Sequence, residues 1–380
     1  MFTKFGDKHW ANYIEAQPMF DILEAANSRS KISGYVARME IGDTPGFKNL
    51  AVHKLISKYA GDEFRYAPSK GDPDLISTLF STQWPRFSNL SYDIAVAPAN
   101  FLITASLASV TSQGDTVLLP NPGFPTYRLA ANFLRLKVVY YSPSDFLPNA
   151  PMKSRNALLS NLKKAKVIVI NNPSNPIGIN YEGRFFSEIL DKFKSVKVVL
   201  DETYVNLVYD SSDPFVESDN FIRIRSFSKE HCAPGLRIGY AIADSKTIKV
   251  ISDFISLSIS CAPKFIQLAI SEYLKSSESS EFVEKLKVSM KFRINHLLQT
   301  VPSEFLPTIP NSAFYAFLKV RSDEEAFKFL LENDIATCPG TRFGTNGRGY
   351  LRVSLAGLES TFYDDLTKLG LKLNEYEKSI

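Results

Sequence analysis

The sequence predicts an α/β protein built on a doubly wound, mainly parallel sheet. Two observations predict it. Short apolar runs recur through the middle of the chain without polar alternation, as in strands buried on both faces. Helical patterns lie between many of them, which is the strand–helix–strand rhythm of a parallel sheet. A change of pattern near Pro263 predicts a smaller α+β unit after it.

The apolar runs are residues 116–119, 138–141, 167–170, 198–200, 221–224 and 238–242. Helices are expected at 102–112, 126–134 and 182–193, and a loop at Ser211-Ser212-Asp213-Pro214. After Pro263, helices are expected at 265–275 and 281–300, separated by a serine-rich loop at 276–280. A strand at 314–320, a helix at 324–333 and a strand at 350–354 follow.

Composition narrows the function. The 380 residues are 44% hydrophobic and 22% charged, as in an ordinary globular protein. The net charge of +4 is spread along the chain, which argues against nucleic acid and anionic membranes as partners. Cys232, Cys261 and Cys338 are odd in number and form no CxxC pair. A disulfide framework and a zinc site are therefore not expected, and a reducing cytoplasm is. Residues 1–10 lack an apolar signal core, and no apolar stretch approaches the roughly 18 residues that suggest a membrane span. His9, His53, His231 and His296 show no ligand spacing, and His231 is expected to be structural.

In doubly wound sheets, ligands sit at the carboxyl ends of the strands. Three segments in that place carry chemistry. Ser226-Phe227-Ser228-Lys229 follows one run, with Arg237 eight residues on. Such a lysine either reaches water or, if desolvated, forms a Schiff base with an aldehyde. Nearby hydroxyls and a guanidinium suit a phosphate. Asp201-Glu202-Thr203-Tyr204 follows a second run. An acid there can bind metal, cap, sit in solvent, or keep a pyridine nitrogen protonated. Asn171-Asn172-Pro173-Ser174-Asn175-Pro176-Ile177-Gly178 follows a third. It is a turn by composition, and Asn175 offers an amide to a ligand.

The order of these segments resembles fold-type I enzymes dependent on pyridoxal 5′-phosphate (PLP), specifically the class I/II aminotransferases. The resemblance runs from about Ile41 to Ala356. It includes Tyr66-Ala67-Pro68-Ser69-Lys70-Gly71, Asn121-Pro122-Gly123-Phe124-Pro125-Thr126-Tyr127, Pro339-Gly340-Thr341-Arg342-Phe343-Gly344 and Leu351-Arg352-Val353-Ser354. It implies a large PLP-binding domain over 46–262 and a small domain formed by 1–45 with 263–380. It implies that Lys229 carries the cofactor and moves the substrate proton, that Asp201 pairs with the pyridinium, and that Tyr204 and Asn175 bond the phenolic oxygen. Phe124 would stack on the ring. Ser226, Arg237 and the helix start at Ala99-Asn100 would bind phosphate. Arg352, with Asn175, would hold the substrate α-carboxylate. Tyr66 would reach the phosphate of a neighbouring subunit, so a homodimer is implied.

Three departures from the pattern stand out. Ala99 replaces a usual glycine, with Asn100 after it, and Ile177 replaces a usual threonine. Glu40 stands where relatives carry a small residue, in a strand that faces substrate. Glu40 is either a solvated glutamate on a strand edge or a charge that favours basic or neutral substrates over acidic ones. The leading expectation is an aminotransferase acting on an α-amino acid. The alternative is a PLP-dependent lyase or cyclase on the same fold.

Overall fold

The computed structural model describes residues 10–61, 64–87, 91–147, 150–181, 191–209 and 220–379. Most of the helix expected at 182–193, and the whole loop expected at 211–214, lie outside the described residues. In chain order the strands are β1 (Ala37–Arg38), β2 (Tyr92–Val96), β3 (Thr116–Pro120), β4 (Lys137–Tyr141), β5 (Val167–Asn171), β6 (Lys197–Asp201), β7 (Phe221–Ser226), β8 (Gly239–Asp244), β9 (Tyr315–Lys319), β10 (Ile335–Ala336), β11 (Cys338–Pro339) and β12 (Tyr350–Ser354).

Strands β2 to β8 form one seven-stranded sheet in the order β2-β8-β7-β6-β5-β3-β4. Strand β8 is antiparallel to both of its neighbours, and the other pairs are parallel. Alternate residues serve opposite faces. Val167 and Val169 pack with Leu102, Ile103 and Tyr127 on one side. Ile168 and Ile170 pack with Leu158 and Leu162 on the other. All four are at most 1% exposed, so burying each contributes about 1.5–3 kcal/mol. This two-sided burial is why the strands read as unbroken apolar runs.

The parallel direction brings the carboxyl ends of β5, β6 and β7 to one edge. Asn171 pairs with Asp201, and Asp201 with Ile224 of β7. The segments that carry chemistry therefore emerge side by side.

The chain start is joined to the chain end. Strand β1 pairs parallel with β10, and Ser354 donates to the Met39 carbonyl at 2.8 Å. Ile22, Ala37 and Met39 share a core with Leu318, Leu351, Val353 and Leu373. Strands β11, β12 and β9 form an antiparallel sheet in that order. The helix Lys264–Lys275 packs with Val52, Leu75 and Ile94, on a face of the large sheet.

One sequence expectation fails here. Residues 277–280 are the first turn of the 24-residue helix Ser277–Thr300, and Ser276 alone breaks the path with φ −91° and ψ 154°. Serine composition reads as a turn, yet serine also suits a helix start, and Glu278 favours the positive end of the helix dipole. Among the described residues, no helix is long and apolar enough to cross a membrane.

Candidate active site

The ends of β5, β6 and β7, the start of the helix Ala99–Val110 and residues of β12 surround one cavity of about 430 Å³. That is within the usual range for a small-molecule site. Lys229, Asp201, Tyr204, Asn175, Phe124, Ser226, Arg237, Ala99, Asn100, Arg352 and Glu40 all line it. Tyr66 does not: it is 85% exposed, away from this cavity.

Lys229 donates from Nζ to the Gly42 carbonyl oxygen. It is the buried Tyr315, rather than the lysine, that requires glycine at position 42. A Cβ there would stand 2.1 Å from the Tyr315 hydroxyl and 3.5 Å from Lys229 Nζ. The Tyr315 hydroxyl lies 3.1 Å from that of Tyr204. Burial pushes the Tyr204 hydroxyl well above its usual range, so it remains a proton donor.

Asp201 is buried at the end of β6. Its Oδ2 accepts from the Tyr127 hydroxyl at 2.6 Å. Its Oδ1 accepts from the Thr203 hydroxyl at 2.6 Å and the Thr203 N–H at 3.1 Å. Burial raises the acid's pKa, and the Thr203 and Tyr127 donors oppose that rise. Among the described residues it has no ion-pair partner. A buried carboxylate of this kind suits a cationic ring nitrogen.

Arg352 has the converse property. It is 1% exposed and stacks over Tyr315 and Phe343, at 4.6 and 4.9 Å. It donates to Asn175 Oδ1 at 3.3 Å and to the Glu40 carbonyl. Its Nε has no hydrogen-bond partner, and no described carboxylate is within ion-pair distance. A buried guanidinium left without an anion is costly, which suits an incoming carboxylate.

Around these, Ala99 and Asn100 open a helix, whose first N–H groups favour an anion. Arg237 is held in the left-handed region, at φ 54° and ψ 46°, and donates to the Pro234 carbonyl at 2.9 Å. Ser226 Oγ accepts from the Ser228 N–H at 3.1 Å. Phe124 is half-buried and meets Tyr127 edge to face at 5.8 Å.

Sequence reasoning gave no role to Tyr127, Thr203 or Tyr315. Tyr127 and Thr203 stood inside quoted motifs, so position was the available signal. Tyr315 lies in no motif, and only the fold brings it to Lys229. Gln17, Met19, Phe20 and Leu23 also line the cavity from the N-terminal segment, and Gln17 donates to the Thr126 hydroxyl at 2.8 Å. The solvated reading of Glu40 is overturned, because the residue is 3% exposed and paired with Arg38. His231 is buried beside the Tyr273 hydroxyl at 3.2 Å, and burial lowers its pKa to about 4, which fits a neutral structural ring.

Comparison with known proteins places this architecture. The aspartate aminotransferase of Thermus thermophilus, solved with maleate, superposes with a TM-score of 0.85 over 97% of this chain and 100% of its own, at 21% identity. The fold is thus that of the fold-type I aminotransferases. The probable aspartate aminotransferase of Methanocaldococcus jannaschii is 31% identical over 332 residues, covering 82% of this chain and 86% of its own. The LL-diaminopimelate aminotransferase of Dehalococcoides mccartyi is 29% identical over 358 residues, covering 89% of each. The family described as aminotransferase class I and II matches residues 97–367. The chain belongs to that family, and it is an aminotransferase. The lyase or cyclase alternative gains no support from these relatives.

Proposed function

We propose that this chain transfers the amino group of an α-amino acid using PLP bound at Lys229. One observation carries the reading: a buried carboxylate and a buried arginine, neither with an ion-pair partner among the described residues, share a cavity with Lys229. Those are the complements of a pyridinium nitrogen and of an α-carboxylate. Family membership supports the cofactor, since enzymes of this class use PLP. Relatives named for aspartate and for LL-diaminopimelate support an α-amino acid substrate.

When bound, PLP supplies an aldehyde that condenses with amines and a protonated ring that withdraws electrons. The residues have separate tasks. Lys229 would hold the cofactor covalently, and its Nζ would move the proton at the substrate Cα. Asp201, oriented by Thr203 and Tyr127, would keep the ring nitrogen protonated. Tyr204 and Asn175 would donate to the phenolic oxygen, and Phe124 would pack against the ring. Ser226, Arg237 and the N–H groups at Ala99 and Asn100 would hold the phosphate. Arg352, bonded to Asn175, would hold the α-carboxylate.

The purified protein supplied with PLP is expected to absorb in the near-visible range. Borohydride should fix the cofactor to Lys229, as read by peptide mapping. A label on another lysine, or none, would overturn the assignment.

A homodimer is part of the same reading. Tyr66 is highly exposed and so is Phe64, at 81%. Exposed aromatics beside a motif that reaches a neighbour's phosphate suit a two-fold interface. Light scattering at micromolar concentration should give twice the chain mass. A fully active monomer would remove Tyr66 from the proposed site.

A further inference from the structure

The proposed site leaves one of its own groups unused. Glu40 lines the cavity, and its Oε1 accepts from Arg38 Nε and lies as close to Arg38 Nη2, both at 2.6 Å. Its Oε2 is buried and has no hydrogen-bond partner among the described residues. A buried carboxylate oxygen without a donor costs free energy, so the site holds an acceptor that an incoming donor would satisfy. Arg38 is itself anchored to Asn27 Oδ1 at 2.9 Å, which fixes the carboxylate. The same residue's carbonyl accepts from Arg352. The spare acceptor is therefore held in a set relation to the arginine that takes the α-carboxylate.

The cations of the cavity sharpen the point. Its described lining carries three, Lys229, Arg237 and Arg352. The proposed function uses each: for the cofactor, the phosphate and the α-carboxylate. None of these remains on this chain for a second carboxylate, and Glu40 and Asp43 would repel one.

We infer that Glu40 Oε2 determines specificity by accepting a hydrogen bond from the substrate side chain. The preferred substrate is an α-amino acid whose side chain ends in an amide, ammonium or guanidinium donor. A side chain ending in a carboxylate is discriminated against. This rests on the PLP aminotransferase reading above.

The test compares kcat/KM for ornithine, glutamine and glutamate in wild type and in Glu40→Gln. In the variant, the Arg38 donors hold the amide oxygen, so an NH₂ replaces the acceptor. The wild type should favour ornithine and glutamine over glutamate, and the variant should shift those ratios toward glutamate by about 10- to 100-fold, the worth of one charged hydrogen bond. A second measurement needs no variant: 4-guanidinobutanoate should inhibit the wild-type holoenzyme more tightly than glutarate. Wild type that favours glutamate, ratios that Glu40→Gln leaves unchanged, or tighter inhibition by glutarate would overturn the inference. Failure of PLP to attach at Lys229 would instead defeat the underlying reading, so the two failures are distinct.

Discussion

Replacing Lys229 with alanine is expected to abolish most turnover while leaving the fold intact. The side chain ends in the cavity and is half-buried, so its removal opens no large void in a packed core. On the proposed reading, what is lost is the group that moves the proton at the substrate Cα. Positioned acid–base groups contribute about 10²- to 10⁴-fold, so transamination should fall by about that factor or more. The variant should still bind PLP through Asp201, Ser226 and Arg237, now without a covalent link. A small primary amine added to the medium should recover part of the rate, which a merely structural lysine would not allow. Turnover close to wild type in Lys229→Ala would end the proposal.

The second large effect is expected at Asp201. Asp201→Asn removes a charge while nearly conserving volume. The Thr203 donors reach Oδ1 at 2.6 and 3.1 Å and can hold an amide oxygen there. The Tyr127 hydroxyl, 2.6 Å from Oδ2, can turn to accept from the new amide. The fold and cofactor retention should therefore persist. The amide cannot keep a ring nitrogen protonated, so turnover should drop by about 10²-fold or more, or roughly 3 kcal/mol of transition-state stabilisation. The measurements are kcat with the best amino donor and the near-visible spectrum. Unchanged kcat with PLP retained would mean that Asp201 pairs with nothing on the cofactor.

Much of this is legible in the sequence. The strands of the large sheet are, because β-branched and aliphatic runs such as Val167–Asn171 are buried on both faces and carry no competing signal. The residues after them are, because parallel strands deliver their carboxyl ends to one edge. Shorter elements are not. Strands β1, β10 and β11 have two residues each, too few to show a period. Strand β2 mixes Tyr92 and Asp93 with its apolar residues and blends into its surroundings. The start of the helix Ser277–Thr300 was hidden by serines that suit either a turn or a first helical turn. Tyr127, Thr203 and Tyr315 were missed for another reason. Their role is to orient Asp201 or to crowd Gly42, and such second contacts depend on tertiary placement. Glu40 stood out as unusual in sequence, but its burial and its partner Arg38 could only come from the fold.

The bond between Arg352 and the Glu40 carbonyl joins residues 312 positions apart. Strand β1 likewise waits for β10, and Gly42 for Tyr315. During synthesis, residues 37–42 thus leave the ribosome long before the segments that complete their environment exist. At about 5–20 residues per second, that interval is tens of seconds. The central sheet, complete once residues 92–244 are made, can assemble meanwhile, whereas the side of the cavity formed by Glu40 and Arg352 closes last. On the proposed assignment, the residues that would hold the cofactor, from Ala99 to Arg237, are all made before Arg352, which would take the α-carboxylate.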